Sequence, residues 1–600
     1  MLSLFPLLSV GVLLLQASQL VFSTQTRCST FTLRNPSVDA VIANTTFFKA
    51  NDTVAITNPF SSIDVSDLPA FCRVVLAITT NATAKSTAHA EIWLPEPQSW
   101  NGRFLGFGNG GFGGGVNVAD LGFVAITQGF AGMSTDTGHL SNSGDGSWAG
   151  PHNDNAIIDW SWRAMHLSTV AGKEVVQQYY GKPHHKAYYL GCSTGNNLLY
   201  YHHLSDSSSP EQLRWTTRVR ILQCPRDREA YAYQIIHSLK EAQRFPDDFD
   251  GIIVGSPANW MAHLQPWSIH VNLQIMPVAS PRFIPADTWA NVIHAEVLKQ
   301  CDAIDGLEDG ILNDPRKCSF RPETLACRPG QNTSTCLNVE QIIAVHKIFS
   351  TYFETNQKFI FNGYYPGGEV GYPNGLVGAV PFSIPADYYR FFVLNDTSFT
   401  MDQLNDTVIQ LGETINPGTM DVVDPDLTGF LGPARNGKIL QYVGWADQLI
   451  STGNSIHFYE TVHAFTQANT HLDIDDSYRL FTAPGMQHWW VSFSFAVVTR
   501  RVIMHNAFHC QGGFGANAFG GAGQASSGMP PASLDAEHNI LAAMVRWVEE
   551  GHAPETLTAT FWKNNNFTEG VGFTRPLCKY PQMSVFKGGN PNDAGGFLCA

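Results

Sequence analysis

Two hydrophobic rhythms run through the chain. From Ser29 to about Pro95, short apolar runs such as Val74-Val75-Leu76-Ala77-Ile78 and Ala90-Glu91-Ile92-Trp93-Leu94 are separated by turn-forming residues, a pattern that predicts strands. From Ala156 to Tyr180 the apolar residues Ile158, Trp162, Met165, Val170 and Val175 fall at helical spacing and predict an amphipathic helix. Buried strands are predicted at Lys186-Ala187-Tyr188-Tyr189-Leu190, at Phe249 to Gly255, at Lys438 to Gly444 and at Tyr478 to Pro484. Strands alternating with helices predict an α/β class with a mostly parallel sheet. Between about Pro257 and Gly432 the rhythm breaks into Pro-, Asn- and Cys-rich loops with scattered helices. A chain of 600 residues exceeds what one core serves. The expected organisation is therefore a discontinuous main domain, 24–256 and 433–600, with a second domain, 257–432, inserted as a lid.

Residues 1–23 carry an apolar centre, Val10-Gly11-Val12-Leu13-Leu14-Leu15, followed by small and polar residues. This predicts a cleaved signal peptide, since the run is interrupted by Gln16, Ser18 and Gln19 and is short for a membrane span. No later segment reads as a transmembrane helix. Sequons at Asn44, Asn51, Asn81, Asn332, Asn395, Asn405 and Asn566, together with 11 cysteines, agree with a secreted, glycosylated, disulfide-bonded protein. Charged residues make up only 14%, so the surface must rely on uncharged polar groups or glycans. A formal net charge of -15 argues against a nucleic-acid partner and gives no reason to expect binding to anionic membranes.

The candidate chemistry starts at Gly191-Cys192-Ser193-Thr194-Gly195, which fits G-x-S-x-G directly after a predicted strand. In a nucleophile elbow the serine sits on a tight strand-to-helix turn. A serine hydroxyl needs a histidine base, and the histidine needs an acid to fix its tautomer. In this arrangement the order along the chain is Ser, acid, His. Asp447, in Gly444-Trp445-Ala446-Asp447-Gln448, and His488, in Pro484-Gly485-Met486-Gln487-His488, both follow predicted strands in that order. An oxyanion hole would take the Thr194 amide and the turn Gly108-Asn109-Gly110-Gly111, with Gly110 and Gly111 as candidate donors. That glycine-rich stretch also allows a flexible loop. A dinucleotide fingerprint lacks the strand and ribose-binding acid it would need.

These segments, with Gly106-Phe107-Gly108-Asn109-Gly110-Gly111, resemble the fungal tannase and feruloyl esterase family over nearly the whole mature chain. The resemblance implies an α/β-hydrolase fold with a large inserted lid domain, and a Ser193-Asp447-His488 triad. It implies a disulfide tying the cysteine before the serine to one after the histidine, Cys192–Cys510. With proximity in sequence it suggests Cys28–Cys72, Cys301–Cys318, Cys327–Cys336 and Cys578–Cys599, leaving Cys224 over. It also implies structural calcium on the lid, held by the Asp302, Asp305 and Asp309 side chains and the Leu307 and Ile311 carbonyls. Three aspartates spaced by glycines, in a pattern unlike an EF-hand, suit that ion. The expected activity is a carboxylic ester hydrolase acting on phenolic-acid esters through an acyl-enzyme. Its substrates would be small phenolic esters or feruloylated or galloylated plant material.

Two segments depart from the family pattern. Residues 196–237 separate the Ser193 motif from Glu241-Ala242-Gln243-Arg244-Phe245-Pro246, and 489–509 separate His488 from Cys510-Gln511-Gly512-Gly513. Both read as foreign insertions, such as retained introns in the gene model. If they belong to the protein, His509 becomes an alternative base. Two rival readings follow: a catalytically impaired product, and a calcium-dependent glycan-binding protein without chemistry.

Overall fold

A computed structural model describes residues 24–193, 237–488 and 510–600. The expected signal peptide, Thr194, His509, the segment 489–509 and all of 196–237 except His237 lie outside the described residues.

A nine-stranded sheet runs through the molecule. Its strands in chain order are β1 (Ala40–Phe48), β2 (Phe71–Asn81), β3 (Ser86–Pro95), β4 (Arg103–Phe107), β5 (Ala131–Thr135), β6 (Lys186–Cys192), β7 (Gly251–Gly255), β8 (Lys438–Gly444) and β9 (Tyr478–Ala483). The spatial order is β1-β2-β3-β5-β4-β6-β7-β8-β9. The first three strands pair antiparallel, and β3 meets β5 antiparallel. From β5 to β9 every neighbour is parallel. Every residue of β7, β8 and β9 is buried, as expected for parallel strands covered on both faces.

The two-residue period of a strand sorts side chains into two cores. Tyr189, Ile252, Val254, Ile439 and Val443 enter one, while Tyr188, Leu190, Ile253, Leu440 and Tyr442 enter the other. Helix α1 (Ala164–Tyr180) covers the first face with Met165, Val175 and Val176, and stops at Gly181 in the left-handed conformation (φ +72°). The C-terminal helix α4 (Ile540–Glu550) covers the second with Ile540, Leu541, Met544 and Trp547. This is an α/β-hydrolase architecture.

One predicted element is altered. The helix expected over 156–180 begins at Asp154 and widens into a π-turn over Asp159–Arg163 before α1. Buried Asp159 accepts from Thr80 Oγ1 at 2.7 Å and from Arg163 Nε at 2.6 Å, a long-range anchor that local periodicity does not encode.

Residues 257–432 enter between β7 and β8. Helix α3 (Met261–Ile275) leads this insert, and its Trp267 packs on Phe361 and Tyr364 with ring centroids 5.0 and 5.4 Å apart. These residues share one continuous core with Ile252 and Val443 of the sheet. The five expected disulfides are all present.

Ile253 is fully buried at the centre of β7. Ile253→Ala is expected to destabilise the protein by about 2–5 kcal/mol, and Val41→Ala, on an exposed position of β1, by less than about 0.5 kcal/mol. Urea unfolding of the two variants checks this.

Candidate active site

The three candidate triad residues leave the same edge of the sheet. Ser193 follows β6, Asp447 follows β8 and His488 follows β9, all at the C-terminal ends of parallel strands. Open α/β sheets place their reactive groups at that edge. Ser193 has a φ of +58°, in the left-handed region that a non-glycine residue rarely adopts, and its amide donates to Gly255 O at 2.8 Å. A hydrogen bond to the neighbouring strand thus holds a strained turn, the local geometry that G-x-S-x-G implied.

Asp447 and His488 form a buried pair. Asp447 is 3% exposed and His488 is 0% exposed. Asp447 Oδ2 lies 2.7 Å from His488 Nδ1, while Oδ1 accepts from the Leu449 and Ile450 amides at 2.9 and 2.8 Å. Those amides fix the carboxylate before it meets the imidazole. With Nδ1–H given to Asp447, the lone pair resides on Nε2, the atom that a serine hydroxyl requires of its base.

The loop carrying His488 is held from several sides. Its amide donates to Gln448 Oε1 at 3.0 Å, and its carbonyl accepts from Cys510 N at 2.6 Å. The Gln524 side chain donates to Cys510 O at 3.0 Å. The Cys192–Cys510 disulfide then joins this loop to the residue preceding Ser193. The chain leaves at 488 and returns at 510 to almost the same point.

The glycine turn after β4 lies alongside the end of β6, with Gly108 N 3.5 Å from Leu190 O. A Cβ at Gly108 would lie 2.2 Å from Tyr189 Oη, so a larger residue there requires the tyrosine to shift. Gly110 and Gly111 are buried, Gly111 with a φ of +57°. No acceptor among the described residues takes either amide. Unpaired buried amides are uncommon, and a developing oxyanion would satisfy them. The other proposed donor, Thr194, lies outside the described residues.

Sequence reasoning missed the contacts from the insert. Tyr364 Oη donates to Gln448 O at 2.5 Å, and Gly371 and Gly375 pack so closely on Gln487 and Gln448 that a Cβ at either would overlap them. These residues lie far from the triad in sequence and carry no motif that marks them.

In the acidic loop each of the three candidate aspartates is hydrogen-bonded to a nearby backbone amide. Asp302 accepts from Gly310 N at 2.9 Å, Asp305 from Leu307 N at 3.1 Å and Asp309 from Ile311 N at 3.2 Å. Gly306 and Gly310 turn the chain with φ of +92° and +81°. The Leu307 and Ile311 carbonyls accept no hydrogen bond among the described residues. Burial, and then the charges of Asp309 and Asp302, push the Asp305 carboxyl up to about 6. An all-oxygen set with mutually repelling carboxylates fits calcium. Arg575 meets Asp309 at 2.6 Å and Asn313 donates to Ser584 O at 2.8 Å, so the loop also ties the insert to the C-terminal region.

Comparison with known proteins agrees with this fold. A family model described as tannase and feruloyl esterase matches residues 72–197, 237–377 and 388–600. A probable feruloyl esterase B-1 of Aspergillus flavus is 33% identical over 535 residues, 88% of this chain and 86% of that protein. A probable feruloyl esterase B of Emericella nidulans is 30% identical over 607 residues, 99% of each. The crystal structure of feruloyl esterase B from Aspergillus oryzae matches with a TM-score of 0.78 at 28% identity, covering 96% of this chain and 100% of that one. Tannin acyl hydrolase from Aspergillus niger shares the fold, with a TM-score of 0.66 at 20% identity over 97% of this chain and 94% of that one. The family match stops at 197 and resumes at 237, where the helix His237–Arg244 begins. The unmatched stretch is therefore 198–236, slightly shorter than the 196–237 expected from sequence. The segment 489–509 falls inside a matched range.

Because Cys192–Cys510 closes a sequence separation of 318 residues, the paired replacement Cys192→Ser/Cys510→Ser is expected to destabilise the protein by up to about 5 kcal/mol. It should lower kcat for ester hydrolysis more than it changes KM. Steady-state kinetics and thermal unfolding of the double variant check both effects.

Proposed function

The chain belongs to the tannase and feruloyl esterase family of carboxylic ester hydrolases acting on phenolic esters, and from that premise we propose that it works through an acyl-enzyme on Ser193. The observation that carries this reading is the buried Asp447–His488 pair at 2.7 Å, tethered through Cys510 and Cys192 to a strained serine. Ser193 Oγ attacks the ester carbonyl carbon while its proton passes to His488 Nε2. Asp447 holds Nδ1–H and stabilises the imidazolium. The tetrahedral oxyanion takes the amides of Gly110 and Gly111 with that of Thr194. Collapse expels the alcohol, which receives the proton from His488. Water then attacks the acyl-enzyme with His488 as base, releasing the acid and Ser193. Membership of a hydrolase family displaces the rival reading of a glycan-binding protein without chemistry.

The preferred acyl group is feruloyl. The relatives at 30–33% identity are probable feruloyl esterases, whereas the tannin acyl hydrolase is 20% identical. The insert 257–432 serves as the lid, since Tyr364, Gly371 and Gly375 lie against the loops of Asp447 and His488. Secretion fits five disulfides and seven sequon asparagines, none of them buried. Among the described residues no helix is long and apolar enough to cross a membrane. The expected kinetic result is a higher kcat/KM on methyl ferulate than on methyl gallate, with both activities abolished by Ser193→Ala. A gallate preference overturns the acyl assignment, and undiminished turnover by the variant overturns the mechanism.

Calcium would be held by Asp302, Asp305 and Asp309 with the Leu307 and Ile311 carbonyls. Bound there, it neutralises the carboxylates and cross-links the loop. Chelation is expected to lower the thermal midpoint, and restored calcium at about a hundredfold excess over its Kd to return about 2.7 kcal/mol. Asp305→Asn should blunt that response. Differential scanning calorimetry with and without chelator provides the measurement.

The unmatched stretch 198–236 and the abutment of Cys510 on His488 both support insertions into an otherwise continuous esterase. A chain lacking 198–236 and 489–509 should therefore hydrolyse methyl ferulate faster than the full chain. Equal specific activities contradict the insertion reading and reopen His509 as a base.

A further inference from the structure

A second chemical cluster lies at the opposite edge of the sheet from Ser193. Asp248 precedes β7, at the N-terminal end of the parallel strands, and packs between α1 and the helix α2 (His237–Arg244). There His166 of α1, Glu241 of α2 and Asp248 each place a ligand atom within 4.8 Å of the other two. His166 Nδ1 is 2.7 Å from Asp248 Oδ2. Glu241 is 0% exposed; its oxygens accept from no N–H among the described residues, and their hydrogen-bonding neighbour is the Asp248 carboxyl. Its carboxylate faces that of Asp248. Two buried carboxyl groups in contact need either a shared proton or a cation between them.

The neighbouring cations are engaged elsewhere. Lys173 Nζ donates to the Asp248 main-chain carbonyl, Lys240 Nζ to Gln243 Oε1 at 3.4 Å, and the Arg244 guanidinium lies 3.7 Å over the Trp162 ring. The His166 side chain is 25% exposed and its ring stacks on Phe245 at 3.7 Å.

We propose that His166, Glu241 and Asp248 form a site for a zinc-class divalent cation, separate from the calcium loop. One imidazole and two carboxylates suit zinc rather than calcium, which prefers oxygen alone. Three protein ligands leave a fourth position for water, reached past His166. The cation would take the deprotonated His166 Nδ1 and both carboxylates, so binding releases protons. It would pin α2 to α1 and to the turn that leads into β7. That role is structural, because the catalytic groups leave the other edge of the sheet.

The test uses the full chain, stripped with a chelator, dialysed and titrated with Zn²⁺ alone against a chromophoric chelator. One zinc per chain is expected, together with a rise in thermal midpoint. Co²⁺ in its place should give the ligand-field spectrum of a low-coordinate site. Glu241→Gln keeps the shape and should weaken zinc binding by about tenfold or more. His166→Gln, at a partly exposed position, provides the same loss should the first variant misfold. Asp302→Asn should retain the zinc. Absence of zinc uptake by the wild-type chain, or equal affinity in the wild type and both variants at the cluster, overturns the proposal. That result would leave a shared proton as the bridge between Glu241 and Asp248.

Discussion

Asp447 and His488 are withdrawn almost completely from water at the C-terminal edge of the sheet, and the surrounding structure answers the cost of that burial. An ionised carboxylate is tolerated there only with its acceptor positions filled. The Leu449 and Ile450 amides fill one oxygen and His488 fills the other. The same contacts that solvate Asp447 therefore orient the imidazole. Gln448 and Cys510 hold the histidine backbone, and Gln524 holds Cys510 in turn. Preorganisation of this kind places the reacting atoms before substrate arrives.

The sheet makes the arrangement possible, because β6, β8 and β9 are parallel and release their loops at one edge. What the sheet does not do is bring β6 to β9, since β7 and β8 lie between them. The Cys192–Cys510 bridge spans that gap. The insert completes the surroundings by laying Tyr364 and two glycines on the loops of the acid and the base. A bound cation at the acidic loop would stabilise the far side of the insert, where Arg575 of the C-terminal region already pairs with Asp309.

Much of this was legible in the residues. Apolar runs mark β6, β7, β8 and β9 because buried parallel strands have no polar face to interrupt them. Ser193, Asp447 and His488 stand out because the proposed nucleophile, acid and base follow such runs in a fixed order. The acidic loop shows itself because its candidate ligands lie within a few residues of one another. Contacts made across long sequence distances were not legible. Asp159 accepts from Thr80 where its helix widens, Tyr364 meets Gln448, and Glu241 meets His166 and Asp248, none with a local pattern to announce it. The nearness of Cys510 to His488 could be inferred only from resemblance, and the hydrogen bond at 2.6 Å gives it a physical form.

The central claim is that one serine, activated by this buried pair, carries the acyl group. Mass spectrometry of the protein after reaction with an aryl phosphonate ester tests it most directly. The account predicts one phosphonyl adduct per chain, located on Ser193, and its loss in His488→Ala. A label on another residue, or full hydrolytic activity after Ser193 has been quantitatively labelled, would contradict it.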